Sequence, residues 1–235
     1  MRIACISDLH IGNKDNSDMF GHVENKFIDF MNYLENDFDK IFLLGDIFEL
    51  LMPDFPFDYS TRLNQCIKAY PKISEKIFNN NKYTYIPGNH DYNILNINKD
   101  YKLYHKLNIN NYNIGFIHGH QFDFWNKNFP TLCSSLVWGG GMLLKQGLCS
   151  IYEKISHMEH KMTDPGDIIT NFHKRALNFA INNRLNIIVL GHSHVCRKME
   201  LDNVLLLNSG TCSKGRLRYL EIDLLNNKFM YHKLI

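Results

Sequence analysis

Aspartate, asparagine and histidine recur in this chain just beyond five short apolar runs, a placement suited to holding divalent cations. Asp8 and His10 end Ser7-Asp8-Leu9-His10, Asp46 follows Gly45, and Asn89 stands in Pro87-Gly88-Asn89-His90-Asp91. His118 opens His118-Gly119-His120, and His192 and His194 share Gly191-His192-Ser193-His194. Carboxylate oxygens and neutral imidazoles are the ligands that hard and borderline divalent cations take. The spacing of Asp8 and His10, repeated in His192 and His194, lets both side chains of a pair point to one side of a chain leaving a strand. Taken singly, each motif also suits an ordinary turn. Their recurrence after successive runs is what gives them weight.

The runs themselves are Ile3–Ile6, Ile41–Leu44, Tyr83–Ile86, Ile114–Ile117 and Ile187–Leu190. Short, β-rich and unalternating, they predict strands buried on both faces, with the chemistry at their C-terminal ends. Val23, Phe27, Phe30, Met31 and Leu34 are spaced as one face of an amphipathic helix. Leu63, Cys66, Ile67 and Tyr70 predict a second helix, ended or kinked at Pro71. Strand, helix, strand implies α/β architecture. Val204–Leu207, Leu217–Leu224 and Lys228–Leu234 read as further strands, the last two a hairpin around Asn226-Asn227, which makes the sheet mixed. The Asn-rich stretches Asn79–Asn81 and Asn108–Asn113 read as turns. Residues 121–172 break the alternation with aromatics, Gly139-Gly140-Gly141 and helix-like stretches, so a cap or lid inserted into a single domain spanning 1–235 is expected.

Composition narrows the class. With 235 residues, 45% apolar and 21% charged, the chain can bury a substantial core. A formal net charge of +2 gives no general argument for nucleic acid or for an electrostatic membrane partner. The cysteines Cys5, Cys66, Cys133, Cys149, Cys196 and Cys212 form no C-x-x-C pair, so neither a zinc ribbon nor a disulfide framework is indicated, and a cytoplasmic setting is expected. His22, His105, His157, His160, His173 and His232 lack the setting of the motif histidines and read as surface or structural.

The five ordered blocks, D-x-H, G-D, G-N-H-D, H and G-H-x-H, resemble the calcineurin-like metallophosphoesterase superfamily over roughly residues 3 to 210. The resemblance implies an α/β fold of mixed β-sheets in a sandwich flanked by helices (αββα), here with a helical cap. It implies that Asp8, His10 and His194 hold one metal, that Asn89, His118 and His192 hold the other, and that Asp46 bridges them. His90 matches the histidine that acts near the leaving group, and Asp91 the acid that orients it. The implied cofactors are two divalent ions, Mn²⁺ first and Fe or Zn as alternatives. Such a pair lowers the pKa of a bridging water and stabilises the oxygens of an in-line displacement, so the implied reaction is hydrolysis of a phosphodiester or pyrophosphate bond.

Within the superfamily, Gly45-Asp46-Ile47-Phe48-Glu49 and the apolar segment after His120 are similar to the UDP-2,3-diacylglucosamine pyrophosphatase-like branch. That similarity implies a sugar-nucleotide lipid held beneath the cap and peripheral contact of the cap with the inner face of a membrane. The branch usually carries arginine at position 90, where the histidine here follows the general superfamily pattern. Phe122, Trp125, Leu132, Leu136 and Leu143 suit a lid for acyl chains, or serve simply to pack the insertion onto the domain. A general phosphodiesterase or phosphatase acting on a small-molecule phosphoester remains open. A nuclease is disfavoured, since no basic stripe is interleaved with stacking aromatics, and no nucleic-acid partner is expected. A metal-free binding scaffold of the same fold would have lost ligands, and none of the motif positions is missing.

Overall fold

The computed structural model describes residues 1–166 and 168–234, apart from the side chains of Glu153, His157, Glu159, His160, Lys161 and Met162. In chain order the elements are β1 (Arg2–Ile6), α1 (Glu24–Asp37), β2 (Lys40–Leu44), α2 (Tyr59–Ala69), α3 (Pro71–Asn79), β3 (Tyr83–Ile86), β4 (Tyr104–Ile109) and β5 (Tyr112–Ile117). There follow α4 (Phe124–Asn128), α5 (Pro130–Lys145), α6 (Cys149–Thr163), α7 (Asn171–Asn182), β6 (Ile187–Leu190), β7 (Cys196–Leu201), β8 (Val204–Ser209), β9 (Leu217–Asp223) and β10 (Lys228–Leu234).

The strands form two five-stranded mixed sheets, ordered β10-β9-β1-β2-β3 and β4-β5-β6-β8-β7. In the first, β1, β2 and β3 are parallel and β9 joins β1 antiparallel. In the second, β5, β6 and β8 are parallel, with β4 and β7 antiparallel at the edges. Both faces of the parallel strands are buried, which is why their sequences show no polar alternation. Between the sheets Ile3, Cys5, Phe42 and Leu44 meet Phe116, Val189 and Leu207. Phe42 and Phe116 stack there with centroids 3.7 Å apart and planes 2° from parallel. Outside the first sheet, Phe27, Phe30 and Leu34 of α1, Leu63 of α2 and Ile73 of α3 pack on Ala4, Ile6, Ile41 and Leu43. Outside the second, Phe172, Ala176 and Ala180 of α7 pack on Ile188, Leu190 and Leu206. The result is the expected αββα sandwich.

The helix expected to end at Pro71 does so: α2 stops at Ala69, and Pro71 opens α3 at a first-turn position where the missing N–H costs nothing. The turn expected over Asn108–Asn113 is confined to its centre. Asn108 pairs with Asn113 across the β4–β5 hairpin, and Asn110 takes the left-handed backbone, φ +50°. Strands β4 and β7 carry no apolar run because each is an edge strand, with charged or polar residues such as His105, Lys106, Arg197 and Lys198.

Between β5 and α7 the chain leaves the sheets for α4, α5 and α6. Helix α5 rests on the loop beyond β2: the Trp138 indole N–H donates to the Pro53 carbonyl at 3.2 Å, and Lys145 meets Asp54 at 2.7 Å. The triple glycine makes the approach close. A Cβ on Gly141 would lie 2.8 Å from Met52 Cγ, and one on Gly140 would lie 2.9 Å from the Tyr152 ring of α6. Many apolar side chains of this segment stay exposed, Leu136 at 67% and Met158 at 66% among them. Among the described residues no helix is long and apolar enough to cross a membrane.

Candidate metal centre

The candidate residues arrive from both sheets. Asp8 and His10 follow β1, Asp46 follows β2, and Asn89 and His90 follow β3. His118 follows β5, and His192 and His194 follow β6. Asp8, His10, Asp46, His192 and His194 all have left-handed backbones, with φ from 49° to 68°. Such conformations cost L-residues on the order of 1 kcal/mol or more each and persist where the surroundings over-determine them, most often at functional sites.

Three groups of donor atoms form, the ligand atoms in each lying within 4.8 Å of one another: Asp8 with His10 and His194, Asp46 with His118 and His192, and His10 with Glu49 and His90, the last already joined by hydrogen bonds. In the first, His194 Nε2 is 3.1 Å from Asp8 Oδ1 and 3.4 Å from His10 Nε2. In the second, His118 Nε2 is 3.2 Å from Asp46 Oδ2 and 3.2 Å from Asn89 Oδ1.

The hydrogen bonds behind these atoms fix their roles. Burial raises the Glu49 pKa, but the His90 and His10 rings more than offset it and hold the carboxyl at about 2, so it can only accept. It therefore takes the Nδ1–H of His10 at 3.0 Å and that of His90 at 2.8 Å. His118 in turn donates its Nδ1–H to the Leu44 carbonyl at 2.6 Å. In each ring Nε2 is left facing the cluster. Asp8 Oδ1 is buried and accepts no hydrogen bond among the described residues. Acceptor atoms converging out of contact with water, Asp8 Oδ1 among them, repel wherever no proton lies between them, and a cation removes the repulsion. The mixture of imidazole, carboxylate and amide oxygen fits borderline ions such as Mn, Fe or Zn.

Electrostatics gives a test. Burial lowers the His118 pKa, but the Asp46 and Asp8 carboxylates outweigh it and raise it to about 9. At neutral pH an ion-free protein thus keeps a proton on His118 Nε2, and an incoming cation must displace it. Metal affinity is expected to rise about tenfold per pH unit from pH 6 toward 9, with roughly one proton released. Calorimetry in buffers of different ionisation enthalpy measures this, and a pH-independent affinity would contradict it.

Asp91 is engaged elsewhere than on the His90 ring. Its carboxylate accepts backbone N–H groups of Ile47 at 2.7 Å and Gly88 at 2.6 Å, and the Tyr85 hydroxyl at 2.5 Å, which ties the loops after β2 and β3 together. The carboxylate on His90 is Glu49, a residue inside a motif noted in the sequence but not singled out there as a site residue. Asp123 is a second such residue: Oδ1 caps α4 through the Trp125 and Asn126 amides, while Oδ2 lies 3.6 Å from His192 Nε2. His120 is buried beside His118 and His192, and burial followed by those two rings depresses its pKa well below the usual range. Of the histidines read as surface or structural, His173 is buried against Asp164, His22 meets the Cys212 carbonyl and His232 meets Glu221. His157 and His160 lie outside the described side chains.

Glycine matters most at position 88. A Cβ there would fall 2.1 Å from Asp46 Oδ1 and 2.6 Å from the Asp46 amide nitrogen. Gly88→Ala is therefore expected to cost about 1–3 kcal/mol and to displace the Asp46 carboxylate. Thermal melts combined with metal analysis check this, and an alanine variant that melts and binds metal normally would refute it.

A family model for the calcineurin-like phosphoesterases matches residues 1–196. A search of curated proteins finds no significant match. Among solved structures, a double mutant of Vps29 from Entamoeba histolytica is similar at 12% identity and TM-score 0.51, over 100% of this chain and 93% of that one. An archaeal phosphodiesterase is similar at 16% identity and TM-score 0.49, over 100% of both chains. A predicted phosphoesterase from Streptococcus pneumoniae is similar at 18% identity and TM-score 0.46, over 99% of this chain and 88% of that one. At these identities the structural likeness to Vps29 bears on the fold alone. The family match takes in every strand end that carries a candidate ligand, His194 included, and the chain belongs to the calcineurin-like phosphoesterase family.

Proposed function

We propose that this phosphoesterase is a dinuclear enzyme, with Mn²⁺ as the first candidate metal and Fe or Zn as alternatives, that hydrolyses a phosphodiester or pyrophosphate bond in an amphiphilic substrate. A sugar-nucleotide lipid of the UDP-2,3-diacylglucosamine type is the leading candidate. The observation that carries this reading is a cleft of about 1520 Å³ in which His10, Asp46, Asn89, His90, His192 and His194 share one lining with Trp125, Leu132, Leu136, Val137 and Leu143. Water-soluble phosphoesters give no reason to keep such side chains beside a polar site; acyl chains do. On this reading residues 121–172 act as a cap, and their exposed apolar side chains reach toward the lipid surface from which substrate comes, at the inner face of a membrane.

In the proposed assignment Asp8, His10 and His194 hold one cation, Asn89, His118 and His192 the other, with Asp46 between them. When bound, such cations supply Lewis acidity toward phosphoryl oxygens and a water acidic enough to attack at neutral pH. Glu49 holds the Nδ1–H of His10 and of His90, so that each ring keeps one orientation. His90 then faces the cleft through Nε2, 4.0 Å from Asp46 Oδ2, and donates its proton to the departing oxygen.

Steady-state rates with Mn²⁺ on bis(p-nitrophenyl) phosphate, p-nitrophenyl phosphate, UDP-sugars and UDP-diacylglucosamine test the reading. Preference for the acylated nucleotide over UDP-sugars is the expected result, and equal rates would remove the lipid. Fewer than two metal equivalents at saturation would contradict the dinuclear centre.

A further inference from the structure

The cleft beside the metal centre has a third wall, neither ligand-bearing nor apolar. It is formed by the segment after β8, where Thr211, Ser213, Lys214 and Arg216 line the cleft, with Lys154 of α6 on the same lining. Among the described residues, the carboxylates that share this lining are already engaged. Asp46 lies among the candidate ligands, Asp123 faces His192, and Asp164 holds Arg197 at 2.5 Å and His173 at 3.1 Å. Arg216 is half-buried, and its Nε–H donates to the Ser213 carbonyl at 3.1 Å, which sets the plane of the guanidinium. Among the described residues neither Arg216 nor Arg218 forms an ion pair with a carboxylate, although the two cations lie close enough to disfavour each other. A partly desolvated guanidinium beside another, on the wall of a cleft and with no carboxylate paired to it among the described residues, is an arrangement that a bound anion stabilises.

We propose that Arg216, assisted by Lys214 and Lys154, forms a subsite for a second phosphate group of the substrate, separate from the phosphoryl group that is attacked. This rests on the reading of the cleft as the substrate site and narrows it. The preferred substrate carries two phosphates, either adjacent, as in a nucleoside diphosphate ester, or apart, as in a phosphorylated headgroup. A phosphodiester with one anionic group uses the metal centre and the apolar wall but leaves this subsite empty. The planar guanidinium pairs bidentately with phosphate, so lysine in its place restores the charge without the fork.

The test compares wild type with Arg216→Ala and Arg216→Lys, all loaded with Mn²⁺, on a UDP-sugar and on bis(p-nitrophenyl) phosphate. Arg216→Ala is expected to raise KM for the UDP-sugar about tenfold or more, with partial recovery in Arg216→Lys, while kcat/KM on bis(p-nitrophenyl) phosphate stays within about twofold. A phosphorylated sugar used as inhibitor distinguishes the two arrangements: loss of its inhibition in Arg216→Ala points to the headgroup, and unchanged inhibition points to the diphosphate. Equal losses on both substrates, or no change on either, would overturn the subsite. If wild type turns over neither substrate, the functional reading fails on its own account. The subsite is then decided by calorimetry with inorganic pyrophosphate on the metal-loaded protein, where undiminished binding by Arg216→Ala overturns it and weakened binding supports it.

Discussion

Replacing Asp46 by alanine is expected to reduce turnover to the uncatalysed level and to remove most bound metal. The residue is 2% exposed, with Oδ2 3.2 Å from His118 Nε2 and Oδ1 accepting the His90 amide at 2.8 Å. Burial raises its pKa, but His118 and His90 reverse this and hold it well below the usual carboxylate range, so the oxygens stay charged at any working pH. The neighbouring carboxylates are engaged elsewhere: Asp8 belongs to the first cluster, Glu49 accepts from His10 and His90, Asp123 caps α4, and Asp91 is committed to backbone amides. Without Asp46, His118 Nε2 keeps the neutral Asn89 oxygen at 3.2 Å, and His192 Nε2 keeps the Asp123 carboxylate at 3.6 Å. Metal analysis after dialysis, together with turnover at saturating Mn²⁺, measures the effect. An alanine variant that retained two equivalents of metal and its activity would overturn the proposed bridging role of Asp46.

Substituting His90 by alanine should separate metal binding from proton transfer. His90 is absent from the groups built on Asp8 and on Asp46, and in its own group Glu49 already accepts the Nδ1–H of both rings, so metal content is expected to stay at the wild-type level. The lost proton donor is expected to lower kcat about 10² to 10⁴-fold on esters with alkoxide leaving groups. A p-nitrophenolate leaves without protonation, so the loss on bis(p-nitrophenyl) phosphate should be much smaller. Glu49→Gln should follow the same leaving-group pattern in weaker form. Both Nδ1–H groups meet the same oxygen, Oε2, so a carboxamide oxygen placed there still accepts both, but the charge is lost and the NH₂ is turned against the Leu51 amide that Oε1 accepts. Undiminished turnover by His90→Ala on a poor leaving group would exclude His90 as the acid.

The site was legible in the sequence to the extent that strand ends were. The parallel strands β1, β2, β3, β5 and β6 are buried on both faces, so each left an apolar run followed at once by its polar cargo. What the sequence concealed depends on tertiary contact. Glu49 lies three residues past Asp46 and reaches His10 and His90 only because the chain after β2 runs beside the chain after β1, through the Ile11–Phe48 bridge. Asp91 stands next to His90 in sequence, and adjacency suggested contact, but the tight turn sends its carboxylate back toward Ile47 and Gly88. Edge strands β4 and β7 left no apolar run, and α7, which covers the second sheet, was not singled out. Arg216 gave no motif at all; its meaning comes from the cleft it faces.

The donor clusters built on Asp8 and on Asp46 each draw on both halves of the sandwich. Asp8 and His10 come from the first sheet and His194 from the second; Asp46 and Asn89 come from the first and His118 and His192 from the second. A cation held by either set is therefore a rivet across the seam that Phe42 and Phe116 close from within. Prying the layers apart would require its release, and occupancy at a hundredfold excess over the dissociation constant holds them shut by about 2.7 kcal/mol. Chelation should then loosen the whole molecule as well as silence it.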